Sequence, residues 1–434
     1  MRFLSLFALT FLTLFLTGCG SDEGFTRELP PSALLRVVNT IQDSPILTAE
    51  FQAQRIGSVN FGDASQLTEV LPTVPRNFRV LYIEDNEVRE LLSREITIPI
   101  DNAATVFLTG TMAAPSAIVV NEAPKDLTDV DTTLVRGVHA AAGISGNVTF
   151  TLSRAGDDDV VQQVAFGSVG ADIRVPAADN YTLTVTQGSE TLVESRQFSL
   201  GGQSLHTLTL LDRNGPAGVN ARVINVDLGS TVAIFDRNPS AMRMVNMIPD
   251  RTSLDFYIDD ELVAEDLLFT DVSDYEIYDF ATVTVTATVA DDPENVVAET
   301  EHSLFGGAFQ TAFAVGLDAT TAVIVEGDDR REIAGRARLD VTHASFSSGT
   351  VDVYLLAPGN SVNDFAPSLN SVSYQESLGI QVDGGSYNLF VTGLGTKDVL
   401  LGPQSLVLDD GATYRAVIAD SDGGGTPPQA ILLD

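Results

Sequence analysis

Short runs in which apolar and polar residues alternate fill most of this chain. Val148-Thr149-Phe150-Thr151-Leu152, Leu254-Asp255-Phe256-Tyr257-Ile258 and Val351-Asp352-Val353-Tyr354-Leu355 are the clearest, and Leu47 to Phe51 follows the same pattern. Alternation of period two sends every second side chain to one face, so each run predicts a β-strand with one face buried. An opening strand precedes each run: Leu35-Arg36-Val37-Val38-Asn39, Val135-Arg136-Gly137-Val138-His139, Met242-Arg243-Met244-Val245-Asn246 and Leu339-Asp340-Val341-Thr342-His343. These markers return with a period of about 100 residues, the signature of four copies of one unit.

Later parts of the unit recur in step. An aromatic closes a mid-unit strand at Phe61, Phe166, Phe269 and Tyr374. Turn pairs at Asp101-Asn102, Gly201-Gly202, Gly306-Gly307 and Asp410-Gly411 tolerate positive φ and read as hairpin turns before the next strand. A last strand follows at Ala117 to Val120, Val232 to Phe235, Ala322 to Val325 and Ala430 to Leu433. Strands this dense, separated by Gly, Asp, Asn and Pro clusters, predict an all-β chain of four tandem antiparallel β-sandwiches of immunoglobulin-like type. The copies cover 33–121, 133–236, 241–326 and 336–434, joined by linkers at 121–132, 237–240 and 326–335. Linkers so short predict a rod of sandwiches. Helix is expected only in the leader and around 88–94.

The N-terminus carries a different pattern. A basic residue, Arg2, precedes an apolar run to Phe15, and Leu16-Thr17-Gly18-Cys19 ends it. A charged start, a short apolar stretch and small residues before a cut point make a secretory signal over 1–18, too short to span a membrane. The four last residues resemble the lipobox of bacterial lipoproteins. That resemblance implies a diacylglycerol on the Cys19 thiol and membrane attachment through lipid, with 19–32 as an acidic tether. Gly20, where an Asp would signal inner-membrane retention, directs the expectation to the outer membrane, periplasmic or surface-exposed.

Charge narrows the partners. The chain has 24 Lys+Arg against 59 Asp+Glu, a formal charge of -35. Such a surface repels phosphate backbones and reverses the sign of counterion release, so nucleic acid is not an expected partner. Anionic lipid heads are repelled too, which leaves the acyl chains as the membrane contact. Hydrophobic residues make up 44% of the chain, enough for packed cores, and the one cysteine leaves no disulfide to reinforce them.

Val341-Thr342-His343-Ala344-Ser345 leading into Val351-Asp352-Val353-Tyr354 resembles the R-V-V-H-A-S-P-D-A-P-x-V-D-V-Y opening of a bacterial extracytoplasmic repeat family known only as a domain of unknown function. The first copy has Asn39 where that motif has His, and it lacks the Asp-Val-Tyr. The resemblance implies secreted or lipid-anchored β-sandwich repeats and brings no active site.

Candidate chemistry is sparse. His139 and His343 share a position at which the other copies carry Asn39 and Asn246. Both residue types hydrogen-bond a neighbouring loop, the structural reading; a metal ligand is the alternative, but one imidazole per copy is a poor Zn²⁺ site. Carboxylates cluster at Asp157 to Asp159, Asp291-Asp292, Asp328-Asp329 and Asp409-Asp410 and read as solvated turns. Asp420 and Asp422, in Asp-Ser-Asp-Gly, are the weak candidates for a cation, without the remaining oxygens of a calcium loop. No nucleophile elbow, paired zinc histidines, P-loop or dinucleotide fingerprint occurs, so neither catalysis nor a cofactor is expected. The reading is a lipid-anchored envelope protein whose repeats serve as spacer and interaction surface for an unidentified protein or glycan. The alternative is a carbohydrate- or Ca²⁺-binding envelope module.

Overall fold

The computed structural model describes residues 32–85, 87–123, 127–227, 232–234, 236–317 and 320–433, and these belong to one compact unit running from Ser32. The leader, Cys19 and the tether lie outside the described residues.

Strands fall into four pairs of sheets, spanning 33–122 (repeat 1), 132–234 (repeat 2), 240–328 (repeat 3) and 337–433 (repeat 4). In repeats 1, 3 and 4 the first, fourth, seventh and eighth strands form one four-stranded sheet in the order 4-1-7-8, and the others form the second in the order 3-2-5-6. Repeat 2 keeps this order with two sheets broken into extra pieces. Pairing is antiparallel except at one place in every repeat. There the first strand (Ala33–Asn39, Thr132–His139, Ser240–Met247, Ala337–His343) runs parallel to the seventh (Ala103–Gly110, Leu205–Asp212, Phe309–Val315, Thr413–Ala419). The turns at Asp101, Gly202, Gly307 and Gly411 therefore carry the chain from one sheet to the other and close no hairpin.

Each sandwich has its own core. Leu35 and Val37 point into that of repeat 1 with Leu47, Ala49, Phe78 and Val106, and Leu339 and Val341 enter that of repeat 4 with Val351, Val353 and Leu389. The opposite face of the same strands is also buried. Val38, Phe107, Ile118 and Val120 of repeat 1 pack on Val138, Ala140, Leu211, Ile224 and Val226 of repeat 2. Val245, Met247, Phe313 and Val315 of repeat 3 pack in the same way on Ala344, Val417, Ala419 and Leu433 of repeat 4. The first and seventh strands are thus covered on both sides, as parallel strands usually are.

Four expectations are corrected. The sandwiches pack in two face-to-face pairs and do not string out as a rod, because their first-strand sheets are apolar on both faces. Segment 88–94 lies within the strand Glu87–Ile96, paired with Arg76–Glu84; sheet pairing overrides the helix preference of its Glu, Leu and Arg. The eighth strand of repeat 2 is Ala221–Val226, and Val232–Ile234 is an added edge strand beside it. Two linkers are shorter than expected, since Pro115–Glu122 and Ala322–Asp328 are strands.

Candidate functional site

The joint between the two sheets of each repeat is built by the residues that mark the repeat in sequence. Asn39, His139, Asn246 and His343 end the first strand with no exposed surface. Asn39 accepts from the Ile41 amide and donates to Ser44, Asn246 accepts from the Ile248 amide and donates to the Leu267 carbonyl, and His343 bridges the Ser345 amide and the Gly349 carbonyl. The residue after each marker aromatic, Gly62, Gly167, Thr270 or Gln375, donates its amide to the backbone carbonyl of that same Asn or His. Burial lowers the pKa of His139 and of His343, which keeps both imidazoles neutral. The side chains of Asn39, Asn246 and His343 hold loops; both ring nitrogens of His139 are buried without a hydrogen-bond partner among the described residues, and His139 holds its loop through its backbone carbonyl.

The cation candidates behave likewise. Asp420 is buried and its carboxylate accepts from the Ser345 hydroxyl, the Ser347 amide at 3.2 Å and the Ser347 hydroxyl at 3.1 Å. Asp212, at the same place in repeat 2, accepts from the Ala142 and Gly143 amides at 2.7 and 2.9 Å. Asp422 is exposed and is not brought beside Asp420's acceptor oxygens by any hydrogen bond among the described residues. Among the described residues no group of three His, Cys, Asp or Glu side chains is placed to hold a metal ion.

What the fold does assemble is a cleft of about 1280 Å³ lined by all four repeats. Arg55 comes from repeat 1, Arg213 and Arg222 from repeat 2, Arg330, Arg331 and Arg336 from the segment leading into repeat 4, and Arg338 from that repeat's first strand. That places seven of the chain's 24 basic residues in one cleft of a strongly acidic protein. Backbone contacts fix the segment: the Ala334 amide donates to the Asp43 carbonyl at 2.8 Å, Arg331 donates to the Gln42 carbonyl at 3.0 Å, and Asn214 donates to the Arg330 carbonyl at 3.3 Å. Across the cleft, Ile46 bonds Gln381 of repeat 4 at 3.2 Å.

Some of these arginines are neutralised within the protein. Arg331 and Arg338 share Asp329 at 2.8 and 3.0 Å, and Arg336 pairs with Asp383. Arg213 pairs at 3.9 Å with Asp236, whereas Arg55 has the Ser58 hydroxyl at 2.6 Å and no carboxylate in ion-pair range among the described residues. Arg222 lies over the Phe61 ring at 4.9 Å with its Nε buried and without a hydrogen-bond partner among the described residues. Burial, reinforced by Arg213, pushes Arg222 down to about 10, and burial raises Asp236 to about 6. Arg330 lies 5.3 Å from the Tyr275 centroid and 5.1 Å from that of Phe309, with no carboxylate in ion-pair range among the described residues. Gly62 has φ 83, and a Cβ there would overlap the Arg222 guanidinium, so glycine is what lets Arg222 reach Phe61.

Repeat 1 also brings apolar side chains to the cleft, beside Thr48, Glu50 and Ser58. In repeat 1 the strand Arg76–Glu84 sends Phe78 and Val80 into the core and Leu81 and Ile83 toward the cleft, where Ile46 and Val88 join them. Ile46, Ile83 and Val88 are 47%, 55% and 68% exposed, a cluster rather than a scatter of surface apolar residues. The cleft has no counterpart in the expectations from sequence, where 326–335 is a charged linker; the signal available is four arginines within 330–338.

Comparison with known proteins adds the following. Residues 240–354 match the family model described as a domain of unknown function (DUF4397). The match takes in repeat 3 and the first two strands of repeat 4. No curated protein matches the chain. Among solved structures, the Bacillus anthracis TIE protein is similar at 9% identity and TM-score 0.16, over 86% of this chain and 65% of its own. The major pilin subunit of Bacillus cereus, BcpA, is similar at 9% identity and TM-score 0.15, over 67% of this chain and 99% of its own. This chain therefore spans about two thirds of the length of the first of these, at 65%.

Proposed function

We propose that this protein is a non-catalytic interaction scaffold of the bacterial cell envelope, attached to the outer membrane by lipid on Cys19. The observation that carries the scaffold reading is the joint use of all four repeats: their paired sheets are buried against one another, and a cleft of about 1280 Å³ draws its walls from every copy. Polar residues at strand ends, which in an enzyme would be candidates for chemistry, are occupied in holding loops. No helix among the described residues is long and apolar enough to cross a membrane. The anchor rests on the sequence: a single thiol after a short apolar leader, in a lipobox-like setting. In this reading the cleft is the interaction surface.

The anchor is tested by growing cells with a clickable fatty acid. The parent should take up label and sediment with outer membrane, whereas Cys19→Ser should take up none and leave the membrane fraction. An unlabelled parent, or a labelled serine variant, would remove lipid attachment from the proposal.

A further inference from the structure

The geometry points to a specific occupant: we propose that the cleft binds an anionic amphiphile, a molecule with a phosphate or carboxylate head and an apolar body. This deepens the reading of the cleft as the interaction surface and rests on it. It is independent of the lipid on Cys19.

Charge inside the cleft sets the head group. Its three acidic lining residues are already engaged: Glu50 by Arg79 at 2.6 Å, Asp328 by Arg415 at 3.0 Å, and Asp329 by Arg331 at 2.8 Å. Arg55, Arg222 and Arg330 have no carboxylate in ion-pair range among the described residues, so the lining carries uncompensated positive charge. The buried, unpartnered Arg222 Nε shows that the protein itself does not complete this site. A guanidinium in that state is stabilised by an oxyanion, which it meets with charge-assisted hydrogen bonds. A divalent cation would be repelled, and an extended polyanion would be opposed by the net charge of -35 outside the cleft.

Shape and polarity set the body. A lone phosphate needs only a small polar nest, whereas this cleft offers about 1280 Å³ and includes Ile46, Leu81, Ile83 and Val88 in its lining along with the arginines. Ligand sites of a few hundred to about 1,000 Å³ combine apolar lining with a few charged groups that fix orientation, and this cleft has both at larger scale. An apolar body seated on those apolar residues would cover side chains that now face water.

Isothermal titration of the full chain carrying Cys19→Ser provides the test, with three probes: dodecyl phosphate below its micellar concentration, inorganic phosphate, and dodecyl maltoside. Saturable binding of dodecyl phosphate, at least about tenfold tighter than either other probe, is expected, because head and body each contribute. Arg222→Gln and Arg330→Gln should each weaken it about tenfold, and Ile83→Asp by a similar factor. Arg330 and Ile83 are exposed, so those variants should melt as the parent does even if Arg222→Gln folds poorly. Equal affinity for dodecyl maltoside, or binding untouched by Arg330→Gln and Ile83→Asp, would overturn the proposal. If inorganic phosphate bound in an Arg330-dependent way and dodecyl phosphate did not, the ligand class would fail while the cleft remained an interaction surface. Silence of every probe would remove both.

Discussion

Repeats 1 and 2 meet across the same backbone face as repeats 3 and 4, but the charges buried at the two contacts are arranged differently. In the first pair Arg36 and Arg136, at equal positions on the two first strands, both reach Glu122, at 3.4 and 3.3 Å. Each also donates its Nε to a threonine of the adjacent parallel strand, Thr105 or Thr207. In the second pair Arg243 keeps this arrangement with Thr311, but repeat 4 carries Asp340 in the arginine position and Arg415 in the threonine position. Asp328, which ends the eighth strand of repeat 3 as Glu122 ends that of repeat 1, then receives Arg415 at 3.0 Å along with the Thr311 and Tyr275 hydroxyls. The lesson is that the contact requires a satisfied ion cluster and not a particular residue. A cation on the first strand or on its parallel neighbour serves equally, because both lie beside the same carboxylate. Glu122 differs in one respect: its second oxygen has no hydrogen-bond partner among the described residues, so both arginines meet it through the other one, Arg136 with Asp172 at 3.2 Å as a second partner and Arg36 with the Asp227 carbonyl.

The most disruptive way to probe the comparison is to separate a pair. A fragment of residues 132–236 keeps its own core but uncovers Val138, Leu211, Ile224 and Val226. It should self-associate in analytical ultracentrifugation and bind a hydrophobic dye, while a fragment of 32–236 should stay monomeric and bind little. A monomeric, dye-silent single repeat would mean that the pair contact contributes little. Next comes Glu122→Ala, which removes the shared carboxylate of two buried arginines and leaves Arg36 without any carboxylate partner among the described residues. Loss of one partner from a buried ion cluster costs about 3–5 kcal/mol, read from urea unfolding. Asp328→Ala should cost less, because it removes a partner from one arginine, Arg415, which keeps Asp340 at 3.9 Å, whereas Glu122→Ala removes a partner from two and leaves Arg36 with no carboxylate among the described residues. Equal losses would show that the two clusters are not organised differently.

A swap sharpens the point further. Arg415→Thr alone leaves Asp328 with the Thr311 and Tyr275 hydroxyls as its partners and without its arginine, and Asp340→Arg alone places two cations side by side; together they restore the pattern of repeats 1 to 3. The double variant should be more stable than the sum of the single losses, with a coupling of about 1–3 kcal/mol in a double-mutant cycle. Strict additivity would refute an interchangeable cation.

The smallest expected effect concerns pH. His139, His206 and His343 have pKa values lowered by burial. A histidine whose folded pKa lies below its unfolded one stabilises the fold above about pH 6.5, and this contribution is lost as pH falls toward the folded value. Asp236, raised to about 6 by burial, acts in the opposite sense: its contribution is present at low pH and is lost as pH rises through that value. The informative quantity is therefore the difference between parent and variant. Replacing His139 and His343 by Asn, the residue repeats 1 and 3 use there, should flatten the decline of melting temperature on acidification from about pH 7 to 5. An unchanged slope would mean that these imidazoles do not titrate with unfolding.

The period-two runs, the recurrence of Asn or His at a strand end and the marker aromatics determined the all-β class and the fourfold repetition, because those features are local and depend only on strand geometry. They also placed Asn39, Asn246 and His343 in a structural role, which their hydrogen bonds show. Two things escaped, for one reason. Arg36, Arg136 and Arg243 stand at outward positions of amphipathic strands, where a charge reads as solvent-facing. Only the packing of one sandwich on the next shows that these arginines are buried against Glu122 and Thr311. Arg213, Arg222 and Arg330 are far apart in the chain, and a cleft exists only once four repeats are docked. Alternation reports which face a side chain takes; it carries no information about what lies against that face. That is set by contacts between residues about a hundred positions apart, which leave no period in the sequence.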